Sequence, residues 1–201
     1  MSYEDHSQLY SLQLVTGPTE EPVDIIEAKT HLKVPSDVAE DDDLIHSLIK
    51  TARTTSENIT NRAFISQTWK MFFEGFPPWE IKIKRPPLQS ITHVKYVDTA
   101  GALQTLNSNQ YLVDETSLPG RLVPVYGAYW PSVRCQPKAV EIQFVCGYGA
   151  AKDVPFPIRQ AMLLLLGHLY EHRESVNIGN IVTEIEQTYS WLLYPHRILN
   201  V

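Results

Sequence analysis

The chain has 201 residues, a formal net charge of -6, and a composition that is 43% hydrophobic and 20% charged, which is ordinary for a globular protein of one main folding unit. No apolar run approaches the roughly 20 residues of a membrane-spanning helix, and two cysteines do not make a disulfide-rich scaffold. The acidic balance argues against a general nucleic-acid binder, and the acids near the start predict a chain without a secretory signal that works in a cytoplasm.

The first part of the chain predicts a flexible lead-in and two helices. Residues 1–22 are polar and lack periodicity, so we predict no fixed structure there. Apolar residues at helical spacing then predict a helix that Asp24 caps and that ends before Pro35. A second helix is predicted from the acidic segment 40–43 to about residue 62, because carboxylates favour the positive end of a helix dipole.

The apolar period changes to two after residue 65, where β-branched and aromatic residues become frequent. This pattern predicts strands, and residues 98–101, "DTAG", predict a hairpin turn. We interpret residues 65–152 as a β-rich module. Its predicted strands are Gln67–Glu74, Glu80–Lys84, Thr92–Val97, Tyr111–Asp114, Arg121–Val123 and Val140–Val145.

Helical periodicity returns after the module. Residues 158–174 predict a third helix, and apolar residues including Ile181, Ile185 and Tyr189 predict a final helical segment that Pro195 stops. The predicted fold class is therefore α+β. Three to four helices, from residues 23–64 and 153–201, form a core into which the β-rich module is inserted.

One motif raises the possibility of an enzyme. His168, Glu171 and His172 spell H-x-x-E-H, the pattern of the inverzincin metalloproteases, and on a helix all three side chains share one face. The alternative is a helix end that emerges into solvent, where polar residues are expected. An inverzincin also needs a carboxylate ligand far downstream, and Glu174, Glu184 and Glu186 are too close. We favour the alternative and predict no metal site.

Other candidate motifs are weaker. The "CGYGAA" segment lacks the third glycine of a nucleotide-binding loop, and "EDDD" at 40–43 lacks the spacing of a calcium loop. The aromatic segment 126–131, "YGAYWP", either stacks on a partner or is pinned to the β-rich module. Cys135 and Cys146 suggest no chemistry. We predict no cofactor and no catalytic residue, which favours a protein that holds partners.

The order of several segments resembles a known family. They are "EEPVDIIEAKTHLKV", "EDDDLIHSLIKTAR", "NRAFISQTW", "RPPLQSITHVKYVDTAGALQTL", "YWPSV", "VEIQFVCGYG", "VPFPIRQAMLLLLGHLYEHRE" and "LLYPHRI". In this order they resemble the head-to-tail connector, or adaptor, proteins of tailed bacteriophages and related prophages over residues 20–198. In that pattern "HLYEHRE" is a helix end.

The resemblance implies a structural protein of the virion neck without enzymatic activity, made and assembled in the host bacterial cytoplasm. It implies a ring of twelve copies below the portal protein that presents a surface to a stopper or tail-completion protein. DNA would pass through the ring without specific binding. A metal-dependent hydrolase and a nucleic-acid-binding module remain the alternatives.

Two sets of candidate site residues follow. An acidic channel wall would repel phosphate, and its candidates are Asp41, Asp42, Asp43, Glu184 and Glu186. Apolar residues near a chain end must be buried by something, either the third helix or another molecule. Pro195 favours an arm that leaves the domain. The candidate portal or subunit interface comprises Trp191, Leu192, Tyr194, Pro195, His196, Arg197 and Ile198.

Overall fold

The computed structural model describes residues 10–172 and 188–199 and has an α+β fold, as predicted. The chain divides into two compact units. The helical unit comprises Pro18–Ile65 and Tyr148–Ile198, and the sheet unit comprises Met1–Gly17, Ser66–Gly147 and Leu199–Val201. Among the described residues, no helix has the length and apolar character needed to cross a bilayer.

The described residues of the helical unit form four helices. They are α1 (Ile25–Leu32), α2 (Asp42–Thr60), α3 (Phe156–Glu171) and α4 (residues 188–193). The prediction that Asp24 caps α1 is confirmed, because its Oδ1 accepts a hydrogen bond from the Glu27 N–H at 2.7 Å. Lys33 and Asn61 end α1 and α2 in the left-handed conformation, with φ of 58° and 56°, which is a common helix stop.

Apolar residues at helical spacing hold this unit together. Ile45, Ile49 and Ala52 lie on one side of α2 and are at most 3% exposed. They belong to one cluster with Ile158, Met162 and Leu166 of α3 and with Tyr189 and Leu193 of α4. Burying a side chain of this size contributes about 1.5–3 kcal/mol, so the cluster explains why short helices that would be marginal alone are stable together.

The sheet unit contains two antiparallel sheets. The larger has the order β1-β2-β8-β4-β5 and the smaller has the order β3-β7-β6. The strands are β1 (Tyr10–Thr16), β2 (Gln67–Phe73), β3 (Ile81–Lys82), β4 (Leu88–Val97), β5 (Leu103–Thr105), β6 (Tyr111–Asp114), β7 (Arg121–Pro124) and β8 (Val140–Cys146).

The strand register gives the larger sheet one apolar and one polar face. Because successive side chains point to opposite faces, buried Met71, Ile142 and Val94 lie in one row across β2, β8 and β4. The opposite face, called here the polar face, carries a row of Phe72, Glu141, Lys95 and Thr105 beside a row of Gln13, Lys70, Gln143 and His93.

The apolar side of the sheet unit forms a second core. Buried residues of the smaller sheet include Ile81, Leu122 and Tyr111. Gly120 precedes β7 and lies so close to Leu88 that a Cβ there would be 2.7 Å from the Leu88 Cβ. A larger residue at position 120 would therefore collide with the other sheet.

Several sequence-based expectations need correction. Residues 10–16 were predicted to belong to a flexible lead-in but form β1, which pairs with β2. The strand predicted over Glu80–Lys84 is only two residues long, and β5 was not predicted. The hairpin turn at 98–101 is confirmed by the bond from Gly101 N–H to Asp98 O. The predicted final helix at Ile181 and Ile185, and the lead-in before residue 10, lie outside the described residues.

Candidate functional site

The H-x-x-E-H residues lie at the C-terminal end of α3. The His168 and His172 rings are 4.6 Å apart between centroids. His172 caps the helix through its backbone N–H, which donates to the His168 carbonyl at 3.0 Å. Glu171 is exposed, and within residues 10–172 and 188–199 no group of three His, Cys, Asp or Glu side chains is arranged to hold a metal. The described part of this motif is a capped helix end.

The three candidate channel acids at the start of α2 have different surroundings. Asp41 Oδ2 accepts a hydrogen bond from the Tyr170 hydroxyl at 2.5 Å. Asp42 pairs with the Lys29 ammonium at 2.5 Å, and Lys29 is only 5% exposed. Asp43 is exposed. Asp41 and Asp42 therefore join α2 to α3 and α1, and Asp43 alone of these three is fully available to solvent. Glu184 and Glu186 lie outside the described residues.

The C-terminal segment 188–198 is packed on the helical unit through one of its sides. Leu193 is fully buried and Tyr189 is 7% exposed, both within the helical core. The Ser56 hydroxyl donates to the Ala52 carbonyl at 2.7 Å and lies 3.0 Å from the Tyr189 hydroxyl. Because the serine proton is already used, the Tyr189 hydroxyl donates to Ser56 Oγ.

Backbone hydrogen bonds hold the residues that follow Pro195. The Arg62 side chain donates to the His196 carbonyl at 2.5 Å, and the Asn61 amide donates to the Ile198 carbonyl at 2.9 Å. The Ile198 N–H donates to the Thr60 carbonyl at 2.9 Å. The prediction of an arm that leaves the domain at Pro195 is therefore wrong up to Ile198. The end of α2 holds this segment, which we call the clamped segment (residues 194–198).

The other side of this region faces solvent. Trp191 is 72% exposed and Tyr194 is 70% exposed. Pro195 and Arg197 are also exposed, whereas Leu192, His196 and Ile198 are half-buried. Burial, followed by the nearby Arg62 charge, lowers the pKa of His196, which favours its neutral form. The exposed aromatic side chains of this region are thus those of Trp191, on α4, and Tyr194, in the clamped segment.

A buried ionic network that was not predicted from the sequence lies within the helical unit. Arg53 Nε contacts Glu21 at 2.6 Å, and Arg53 Nη1 contacts Glu57 at 2.8 Å. Burial lowers the pKa of Arg53, but hydrogen bonds and charges from the two glutamates outweigh it and raise the pKa. Arg53 and Glu57 are four residues apart on α2, a spacing that brings helix side chains together. That spacing was the available signal.

The aromatic segment 126–131 is pinned to the sheet unit at one residue. The Trp130 ring stacks on Phe76 with centroids 5.0 Å apart, and its indole N–H donates to the Trp79 carbonyl at 3.3 Å. Tyr126 and Tyr129 are exposed, as is the Trp79 side chain at 79%. The expectation that this segment is pinned to the sheet unit is therefore confirmed for Trp130, and stacking of Tyr126 and Tyr129 on a partner stays a prediction.

An ionic cluster lies on the polar face of the larger sheet. Glu141 Oε1 is 2.9 Å from Lys70 Nζ and 2.8 Å from His93 Nε2. Burial raises the pKa of Glu141, but hydrogen bonds and charges from His93 and Lys70 outweigh it and lower the pKa. The cluster links β2, β8 and β4 and keeps Glu141 ionised.

A cleft of about 530 Å³ opens in the helical unit beside residues 20–25 and the start of α3. Its carboxylates are occupied by the fold: Glu20 accepts from the Ala151 N–H, Glu21 pairs with Arg53, and Asp24 caps α1. The cleft therefore offers few free polar groups to a ligand.

No protein-family model and no curated protein matches the chain, but solved structures do. A chain from the neck of an empty gene transfer agent (GTA) particle, computed with C6 symmetry, has a TM-score of 0.79 at 21% identity. The match covers 95% of this chain and 97% of that one. A chain from the neck of a native GTA particle computed with C12 symmetry has a TM-score of 0.77, 21% identity and the same coverage.

A chain from the virion of a native GTA particle has a TM-score of 0.74 at 21% identity, with coverage of 94% and 96%. These comparisons extend over nearly the whole of each chain. The fold of both units therefore has counterparts in those particles.

Proposed function

We propose that this protein is a structural component of the neck of a tailed phage or phage-like particle. One observation carries the proposal: the fold matches chains of GTA necks over 95% of this chain and 97% of those chains. Coverage of that extent includes both units, so the likeness is not that of a widespread small module. A scaffold role without enzymatic activity is the simplest function for such a chain.

Within the neck, we assign the chain to the head-to-tail connector. In this role twelve copies form a ring on the portal protein and join the DNA-filled head to the stopper or tail. The related necks were computed with C6 and C12 symmetry, which supports a ring. Closed rings of one chain use head-to-tail contacts between two different surfaces of each copy.

The region around Trp191 and Tyr194 is the proposed portal or subunit interface. Exposed aromatic residues commonly anchor protein interfaces, and Arg197 adds a second type of residue that is enriched there. The clamp from Arg62 and Asn61 supports this assignment, since a fixed backbone reduces the entropy lost on binding. The anchors are therefore preorganised.

The DNA channel is the second part of the proposal. Asp43 is the described acid that remains suitable for the channel wall, together with Glu184 and Glu186 outside the described residues. Carboxylates there would repel DNA phosphates and allow the DNA to slide.

Electron microscopy of DNA-filled, portal-bearing heads mixed with the purified protein tests the function. We expect a ring of added density on the portal vertex and no such density on heads that lack portal. A protein that leaves portal-bearing heads undecorated at every concentration, and remains monomeric, contradicts the proposed connector.

A further inference from the structure

The polar face of the larger sheet carries more positive than negative side chains. Lys70 and Lys95 project from it beside Glu141, and the Lys138 ammonium lies 5.0 Å from the centroid of the Phe72 ring on the same face. Lys70 is paired with Glu141. Lys95 and Lys138 make no ion pair with any described residue, and Lys138 is exposed. The face therefore offers two lysines to another molecule.

The net charge of the chain is unevenly distributed between its units. The helical unit has 15 Asp and Glu against nine Lys and Arg, whereas the sheet unit has eight of each. The whole net charge of -6 is thus that of the helical unit. If neighbouring copies met through their helical units alone, like charges would face each other, and such contacts disfavour association.

We propose that the polar face receives the helical unit of a second copy of this chain. This inference rests on the proposed ring and names the two surfaces that join its neighbours. Lys95 and Lys138 of one copy contact the exposed carboxylates of the loop between α1 and α2 of the next. Asp37 and Glu40 are exposed on that loop and pair with no described residue. The contact is head-to-tail, as ring closure requires.

DNA is a less suitable partner for the same face. Proteins that bind DNA through its backbone neutralise several phosphates with Lys and Arg, and this face has two lysines that form no ion pair with a described residue. Glu141 is the cross-strand partner of Lys95 and would repel phosphate. A small number of carboxylates on a protein surface matches this arrangement.

Two charge-reversed variants test the contact. The sheet-reversed variant carries Lys95→Glu and Lys138→Glu, and the loop-reversed variant carries Asp37→Lys and Glu40→Lys. Each variant alone brings like charges together at every contact, so we expect the protomer concentration for half-assembly to rise at least about tenfold at low salt. In an equimolar mixture each contact joins opposite charges, so rings in which the two variants alternate should form as readily as wild-type rings.

Matched variants control for net charge. Lys50→Glu with Lys152→Glu repeats the charge change of the sheet-reversed variant, and Glu74→Lys with Glu115→Lys repeats that of the loop-reversed variant. All four residues are exposed and lie outside the proposed contact. We expect these controls to assemble as the wild type does. Circular dichroism establishes that every variant is folded, and Lys95→Gln with Lys138→Gln replaces the sheet-reversed variant if that one is not.

Native mass spectrometry and electron microscopy, with the portal-bearing heads present, measure assembly. Rings formed by either reversed variant alone at wild-type concentrations overturn this inference and leave the proposed ring standing. A mixture that fails to recover also overturns it. A wild-type chain that forms no ring on heads overturns the proposed function and this contact together. If the sheet-reversed variant alone loses binding to duplex DNA and its assembly is unchanged, the polar face binds DNA and not a second copy.

Discussion

Glu57 connects separate parts of the helical unit through its two carboxylate oxygens. Oε2 accepts from Arg53 at 2.8 Å, and Oε1 accepts from the Phe64 backbone N–H at 2.8 Å. Phe64 is fully buried and Glu57 is 6% exposed. The Glu57 carboxylate therefore accepts hydrogen bonds from a buried cation and from a buried N–H. If the carboxylate is removed, each of these two groups loses a hydrogen-bond acceptor.

Glu57→Ala should lower the free energy of unfolding by about 3 kcal/mol, because Arg53 loses one of its two carboxylate partners and the buried Phe64 N–H loses its acceptor. Denaturant unfolding measures this value. Glu171→Ala, at the exposed end of α3, is the control and should change stability by no more than about 0.5 kcal/mol. Equal small effects in both variants would contradict a structural role for the network.

Tyr189 gives the helical unit a specific response to alkaline pH. Burial raises the pKa of its phenol. Because the folded pKa lies above the unfolded value of about 10, the neutral phenol stabilises the fold fully below that pH. The stabilisation is lost as pH rises through the folded value.

Tyr189→Phe should cost about 1 kcal/mol near neutral pH, where the hydrogen bond to Ser56 is lost. Above pH of about 10 the stability of the wild type should fall more steeply than that of the variant. Thermal unfolding across this pH range measures the difference. Tyr126→Phe is the control, since Tyr126 is fully exposed. Parallel curves for the wild type and Tyr189→Phe would argue against a buried neutral phenol.

At the residue scale, local contacts were more predictable than distant ones. The Asp24 cap follows from residues three apart, and a cap position has a clear residue preference. The clamp joins Arg62 to His196, which are separated by 134 positions. A local sequence pattern cannot predict a contact between residues so far apart, because the contact depends on how the core brings α2 and α4 together.

Among the elements, β1 has the alternating sequence pattern of a strand, although residues 1–22 as a whole predict a flexible lead-in. Tyr10, Leu12 and Leu14 alternate with Ser11 and Gln13, which is the period of a strand. The strand forms because it pairs with β2, more than 50 positions later in the chain. A strand-like pattern near a chain end is weak evidence for a strand, because the segment becomes ordered only if a partner strand is available to pair with it.

The chain leaves the helical unit after Ile65 and returns to it at Tyr148, and these two points lie close together. The Tyr148 N–H donates to the Phe64 carbonyl at 2.9 Å, and Ile65 forms a bridge with Gly149. The points where the chain leaves and re-enters the helical unit are therefore neighbours. A short linker can join them without moving the helices.

Replacing residues 66–147 with a short Gly/Ser linker, and removing residues 1–17 because β1 loses β2, should leave a folded helical unit. The cores of α2, α3 and α4 are made from this unit's own residues. We expect helical circular dichroism and a cooperative transition on heating. As a control, the same variant with Ile45→Asp should lose that transition, because the change buries a charge. Loss of cooperativity without Ile45→Asp would show that the units depend on each other.

For the whole molecule, the α+β class was predictable because the apolar period changes twice along the chain. Strand order and the division into two sheets were not predictable, since the residues of β2 pair with residues of β8 that lie 67 to 79 positions later in the chain. Pairing of this kind depends on the three-dimensional arrangement of several strands. The candidate interface at the C-terminal end was located by its aromatic residues, but its clamped backbone was found only in the structure.

The proposed interface can be tested without removing the core residues that precede it. Truncation after Leu193 removes the clamped segment, including Tyr194 and Arg197, and retains Tyr189 and Leu193 in the core. Three hydrogen bonds to residues 60–62 are lost. Their acceptors and donors on the remaining chain become exposed to water, so we expect a loss of about 1 kcal/mol for each bond at most and a protein that still unfolds cooperatively.

The truncated protein should fail to decorate portal-bearing heads, because it lacks an aromatic and an arginine anchor of the kind that dominates interface energetics. Arg197→Ala should give a milder loss, since Trp191 on α4 and Tyr194 in the clamped segment remain. Trp79→Ala is the control, because it removes an aromatic side chain of the sheet unit that is about as exposed as Tyr194. It shows whether the loss of any exposed aromatic side chain weakens attachment to heads. Electron micrographs give the fraction of portal-bearing heads that carry added density. This fraction is compared for the wild type, the truncated protein, Arg197→Ala and Trp79→Ala. Wild-type occupancy by the truncated protein would mean that the protein attaches through another surface. Attachment lost equally in Trp79→Ala would contradict a specific role for the C-terminal segment.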